Sequence, residues 1–124
     1  MRKFRKHRRP GNRAMTKSES AHVDCVKRAG CVCCAILGFE HDPDGYAVEA
    51  DHLKSGNIRI GHMHVIGLCP YHHRDVLIIN GWNHAKHREV LGPSKARGLI
   101  PFLAHFGGLD AILQKQDEML AEVA

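Results

Sequence analysis

The spacing of apolar positions predicts a helix near the start of the chain, where Ala21, Cys25, Val26 and Ala29 recur at helical intervals. Thr16 followed three residues later by Glu19 is a capping-box pattern, and Gly30 supplies a stop. Cys31 to Cys34 comes at once and reads as a tight turn. Residues 35–40 (AILGFE) and 46–50 (YAVEA) are short apolar or alternating runs around Asp42-Pro43-Asp44-Gly45, a segment with Pro and Gly where a turn wants them. That pattern predicts a β-hairpin. Residues 54–62 read as loop. Pro70 fits the first turn of a helix running to about Ile79, with Gly81 ending it. The pattern over 82–93 is ambiguous. Further helices are expected near 94–106 and 109–122; Pro101 kinks or restarts the first, and Gly107-Gly108 separates the two. Leu109, Ile112, Leu113 and Leu120 form a packing stripe on the last helix. Cys25, on the apolar face of the first, reads as a small core residue.

Length and charge narrow the class. The 124 residues make one domain, with no apolar run long enough for a bilayer and no signal peptide pattern. Residues 1–28 hold ten Lys/Arg against two acids, whereas the remainder holds eight against eleven. All the excess positive charge of the chain, +5, is therefore N-terminal. Residues 1–13 carry Arg2, Lys3, Arg5, Lys6, Arg8, Arg9 and Arg13 and no acid. Such a block repels itself and has little to bury, so residues 1–15 are expected to form a disordered basic arm ahead of a domain spanning 16–124. Against DNA phosphates the arm would release counterions and add sequence-independent affinity; a solubilising tail or localisation signal is the alternative.

The five cysteines, at 25, 31, 33, 34 and 69, are odd in number and crowded, which suits a metal knuckle in a reducing compartment such as the cytoplasm. Cys31 and Cys34 form a C-x2-C pair; Cys69 and His72 form a C-x2-H pair. Two tight turns presenting two ligands each match tetrahedral Zn2+, and a domain this small benefits from the folding energy of such a site. Cys33 competes with Cys34 for the second ligand position; C-x2-C spacing is the commoner and favours Cys34.

Of eleven histidines, seven fall between residues 52 and 87. Asp51-His52 ends the second predicted strand, where neighbouring side chains diverge. A carboxylate can then hold a metal while the imidazole meets substrate, provided that the strand end twists. His73, beside the His72 of the knuckle, points elsewhere, towards the site of Asp51.

The order Cys31/Cys34, Asp51-His52, His64, Cys69/His72, His73 resembles the zinc-containing HNH endonucleases over roughly residues 30 to 75. More narrowly, IRIGHMHVIGLCPYHH with EADHL upstream is similar to the phage recombination-enhancing nucleases of the Ref type, which act with RecA and carry a basic N-terminal arm. Ser94, Lys95, Phe102, Phe106 and Gly107 extend that similarity. The resemblance implies an α+β, zinc-stapled ββα-metal (HNH) domain with a core at about 30–80 and flanking helices. It implies DNA phosphodiester hydrolysis, with His52 as general base and Asp51 and His73 holding catalytic Mg2+ or Mn2+. His64 stands where the family has asparagine; it either orients His52 or binds metal itself. The position of a third metal-binding histidine falls on Leu77, which cannot ligate, and His84 or His87 could reach back. Implied partners are DNA and the RecA filament, with no membrane, in the cytoplasm of a bacterial host. The rival functions are a zinc-stabilised DNA-binding module without catalysis and a phage adaptor protein.

Overall fold

The computed structural model describes residues 14–40, 46–55, 58–59 and 64–123. The arm residues from Arg2 to Arg13, the Asp42–Gly45 turn and His62 lie outside the described residues. Helix α1 (Lys17–Ala29) begins as expected. The Thr16 hydroxyl accepts the Glu19 amide at 3.2 Å, and the Glu19 carboxylate accepts the Thr16 amide at 2.9 Å. Cys25 is only half-buried, its Sγ accepting from the Arg28 guanidinium at 3.0 Å.

The expected hairpin is not what forms. Residues 32–37 make helix α2 (Val32–Leu37) in place of a tight turn and a strand. A short apolar run carries no period that separates strand from buried helix, and the ends decide. Cys31 Sγ caps the helix by accepting the Cys34 amide, and Gly38, at φ 70°, ends it in the left-handed conformation. Strand β1 (Glu49–His52) takes a later partner instead. After a small ladder between β2 (Lys54–Ser55) and β3 (Ile58–Arg59), inside the expected loop, it pairs antiparallel with β4 (Val65–Leu68). The register sets Glu49 opposite Leu68, Asp51 opposite Ile66 and His52 opposite Val65.

That register sorts the side chains. Glu49, Asp51, Ile66 and Leu68 share one face, and Ile66 and Leu68 belong to the main core with Tyr71, Leu91, Phe102 and Ile112. Ala50, His52, Val65 and Gly67 share the other, where Val65 packs with Val23 and Val26 of α1. Gly67 permits this approach: a Cβ there would stand 2.7 Å from the Gly30 carbonyl oxygen.

Helix α3 (Pro70–Arg74) starts on Pro70 as expected but stops at Asp75, well short of Ile79. Asp75 adopts φ 63°, which a short polar side chain tolerates. Its carboxylate accepts from the Ser94 hydroxyl at 3.0 Å and Arg97 Nε at 2.9 Å. Tertiary bonds thus override the pattern that would have continued the helix. The ambiguous stretch contains α4 (His84–Leu91), capped by Asn83. A 3-10 turn (Lys95–Arg97) leads to α5 (Leu99–His105), where Pro101 sits in the first turn and costs no hydrogen bond. Helix α6 (Leu109–Val123) buries Ile112, Gln116 and Met119, whereas Leu109 of the expected stripe is exposed. The Gln116 amide covers the free edge of β4, accepting from the Gly67 amide at 2.9 Å and donating to the Val65 carbonyl at 2.7 Å. Among the described residues, no helix is long and apolar enough to cross a membrane.

Candidate metal centre and the adjoining histidine–carboxylate site

Two consecutive residues of α3 serve two different sites. His72 points into the core and His73 towards β1, as the turn of about 100° between helical neighbours allows. Around His72 the structure gathers Cys31, Cys34 and Cys69, all buried, with one potential ligand atom from each within 4.8 Å of the others. His72 Nδ1 lies 3.4, 3.6 and 3.2 Å from the sulfurs of Cys31, Cys34 and Cys69, and the Cys34 and Cys69 sulfurs are 4.0 Å apart. Tetrahedral zinc with ordinary bond lengths needs edges of about 3.5 Å between N and S and about 3.8 Å between sulfurs. The four donors fit a single ion.

The outer contacts point the same way. His72 Nε2 donates to the Leu91 carbonyl at 2.8 Å, leaving the Nδ1 lone pair for a ligand. The Cys34 and His72 amides donate to the sulfurs of Cys31 and Cys69, as the first turns of α2 and α3 require. Burial works against a Cys31 thiolate, but hydrogen bonds from Cys34, Cys69 and His72 outweigh it and hold this thiol well below its usual value. Burial likewise disfavours the His72 cation, yet hydrogen bonds to Cys31 and Cys69 push it up to about 10. Hydrogen bonds to Cys31 and Cys69, together with burial, push the Cys34 thiol up, so the charge in the cluster is a Cys31–His72 ion pair whose proton a divalent metal would replace. Cys33 is buried outside it, and burial above all keeps its thiol protonated.

Around His73 lies the second site. Nδ1 is 2.8 Å from Glu49 Oε1, and Nε2 is 3.4 Å from Asp51 Oδ1. Arg74 clamps Glu49 from the solvent side, Nε to Oε1 at 2.9 Å and Nη2 to Oε2 at 2.6 Å. Lys95 Nζ donates to the second oxygen of Asp51. Its hydrogen bond to Arg74 chiefly lowers the pKa of Glu49. Asp51 is lowered despite a burial cost, by hydrogen bonds from His73 and Lys95. The Asp51 hydrogen bond raises His73, against burial and with help from Glu49. Two ligands about 2.1 Å from a common hard cation stand roughly 3.0 to 3.4 Å apart at angles between square and tetrahedral. The Asp51–His73 separation fits that range.

The structure thus unites Cys31, Cys34, Cys69 and His72 in one cluster, and Asp51 with His73 in the other. His52 is the last residue of β1 and half-buried, on the strand face opposite Asp51. His64 is exposed just beyond the ladder, its carbonyl accepting the Leu53 amide at 2.8 Å. His84 instead donates to the Asp75 carbonyl at 3.1 Å. His87 is buried, its Nε2 accepting the amides of Ile78 and Ile79, so it braces the segment after α3. Glu49, Arg74 and Lys95 were not singled out as site residues by their sequence. The signal for Glu49 was present, since it lies two residues before Asp51 on a strand and so shares its face.

Fold and site together define a small α+β domain in which one helix joins a buried three-cysteine, one-histidine cluster to a histidine–carboxylate site. The chain belongs to the recombination-enhancement, RecA-dependent nuclease family, whose model matches residues 15–121. Comparison with curated proteins and with solved structures gives no match.

Proposed function

We propose that the protein is a metal-dependent DNA endonuclease of the HNH (ββα-metal) class, acting with RecA in phage recombination inside the bacterial cytoplasm. The observation that carries this reading is the Asp51–His73 pair, built on two antiparallel strands and the helix that follows them. Family membership supports nuclease activity. In this reading the buried cluster holds a structural Zn2+ that fixes α3 against α2. Asp51 and His73 hold Mg2+ or Mn2+, whose charge would offset the negative charge that develops on the scissile phosphate. His52 takes a proton from the attacking water as the new P–O bond forms and the bond to the 3′ oxygen breaks. His64 orients His52. Glu49, itself held by Arg74, fixes the ring of His73. The seven cations of residues 1–13 bind DNA phosphates.

Nicking of supercoiled plasmid tests the reading, with and without RecA filaments. Cleavage that stops when Mg2+ and Mn2+ are withheld and returns when either is added supports it. Tight DNA binding with no cleavage under any of these conditions would instead indicate a zinc-stapled binding module.

A further inference from the structure

We propose that Lys95 is a phosphate-contacting residue of this site, resting on Asp51 and turning to a non-bridging oxygen of the scissile phosphate when DNA is bound. The inference rests on the endonuclease reading and assigns it a residue from outside the two strands and α3. Its first support is placement. Asp51 uses one oxygen towards His73 and the other towards Lys95, so the ammonium stands one carboxylate away from the reacting centre. The second is anchoring. Ser94, which is buried, and Arg97 flank Lys95 and both bind the carboxylate of Asp75 at the end of α3. The backbone of the 3-10 turn is therefore tied to the helix that presents His73. The Lys95 side chain is about one-quarter exposed, at 24%. A flexible four-carbon stem on a fixed base can redirect its charge without moving the fold.

The third support is charge. Glu49 and Asp51 are balanced by Arg74 and Lys95 when His73 is neutral. Arg74 is committed to Glu49 through the Nε–Nη2 edge of its guanidinium, one donor to each carboxylate oxygen. Among the described residues Lys95 pairs with Asp51 alone, and a divalent ion on Asp51 would displace it towards solvent, where the substrate phosphate arrives. A site that gains a divalent ion and keeps Lys95 carries two net positive charges, matching the two negative charges of a phosphoryl transition state. A lysine serving only as a counter-ion to a buried carboxylate would need neither the anchored turn nor the opening to solvent.

The test uses the full chain as wild type, Lys95→Met and Lys95→Arg, with zinc content and thermal unfolding measured first. Should Lys95→Met fail to fold, Lys95→Gln replaces it. Affinity for a duplex oligonucleotide is measured against monovalent salt at a fixed concentration of Ca2+, a hard divalent ion for the Asp51–His73 pair, and plasmid nicking is measured with Mg2+ or Mn2+. The expected result is a salt slope shallower by about 0.9 in Lys95→Met, the loss of one phosphate contact. Nicking falls on the order of 10²- to 10³-fold, and Lys95→Arg recovers most of both. An unchanged slope, with tighter Mn2+ binding by calorimetry, would show that Lys95 only neutralises Asp51 and would overturn the proposal. A Lys95-dependent slope in a wild-type protein that never nicks would leave the phosphate contact standing and reject the endonuclease reading instead.

Discussion

Nδ1 of His73 lies 2.8 Å from Oε1 of Glu49, and this contact fixes which nitrogen faces Asp51. A metal-ligating histidine ordinarily donates its other ring N–H to a carboxylate or carbonyl, which sets its tautomer and ring plane. In the proposed site Glu49 would perform that service for His73, as the Leu91 carbonyl would for His72. Glu49→Ala is expected to weaken Mn2+ binding about 10- to 100-fold. Zinc content and thermal stability should be largely unchanged, since the Glu49–Arg74 pair is at the surface. Calorimetric titration of Mn2+ into the zinc-loaded variant measures this, and wild-type affinity would refute the assigned role of Glu49.

The same contacts set a pH dependence. The hydrogen bond to Asp51, and then that to Glu49, raise His73 above the ordinary imidazole value of about 6.5. A proton and a metal compete for Nε2, so Mn2+ affinity should increase with pH and level off only above the raised pKa of His73. In Glu49→Ala the levelling should occur at lower pH. Titrations across pH 5.5 to 8.5 check the direction; affinity independent of pH throughout would mean that His73 is not a ligand.

For the buried cluster, the protein should carry one tightly bound zinc per chain by elemental analysis. Cys69→Ala should unfold the domain, because its sulfur holds the start of α3 and binding energy at such a site is folding energy. Cys33→Ala should keep the metal, as Cys33 lies outside the four-residue cluster. A folded protein free of metal, or loss of zinc on Cys33→Ala, would contradict the assignment.

What the sequence disclosed divides along physical lines. The C-x2-C and C-x2-H pairs were legible because each is one local turn, and two such turns need only one long-range encounter. Helix α1 was legible from its capping box. The partner of β1 was not, since the run 35–40 satisfies strand and helix patterns alike and its caps, Cys31 and Gly38, read equally as a knuckle and a turn. The length of α3 was hidden because Asp75 ends it through bonds to Ser94 and Arg97, far along the chain. Lys95 reaches Asp51 across 44 residues, a pairing that no spacing rule anticipates.

Deleting residues 1–13 should weaken DNA binding and leave zinc content and the unfolding temperature of the remainder intact. Seven Lys/Arg contacts to duplex, if all are made, contribute a salt slope of about −6. Comparing slopes for the full and shortened chains measures the share. An identical slope would assign the arm to another partner, and stimulation by RecA filaments measured on both chains would then show whether that partner is RecA.

The sharpest expectation concerns His52. His52→Ala should abolish most nicking while preserving zinc, fold and DNA affinity. With a reference pKa of about 6.5, an imidazole is largely neutral at working pH and can accept the proton of the attacking water. General base catalysis is worth about 10² to 10⁴ in rate, so the loss should be large without being total. Asp51→Ala should also lose activity, but through weaker metal affinity, so that raising Mg2+ recovers part of it; His52→Ala should not respond to added metal. The pleat makes this a demanding test, because His52 shares the α1 face with Ala50 while Asp51 points the other way. His52 is the last residue of its strand, and a base acting on water near Asp51 requires the chain to turn its side chain round that edge. His64 sits beside it, one residue beyond the opposite strand. If His52→Ala nicks at near-normal rates and His64→Ala is dead, the base is His64, and the chemistry belongs to the second histidine cluster.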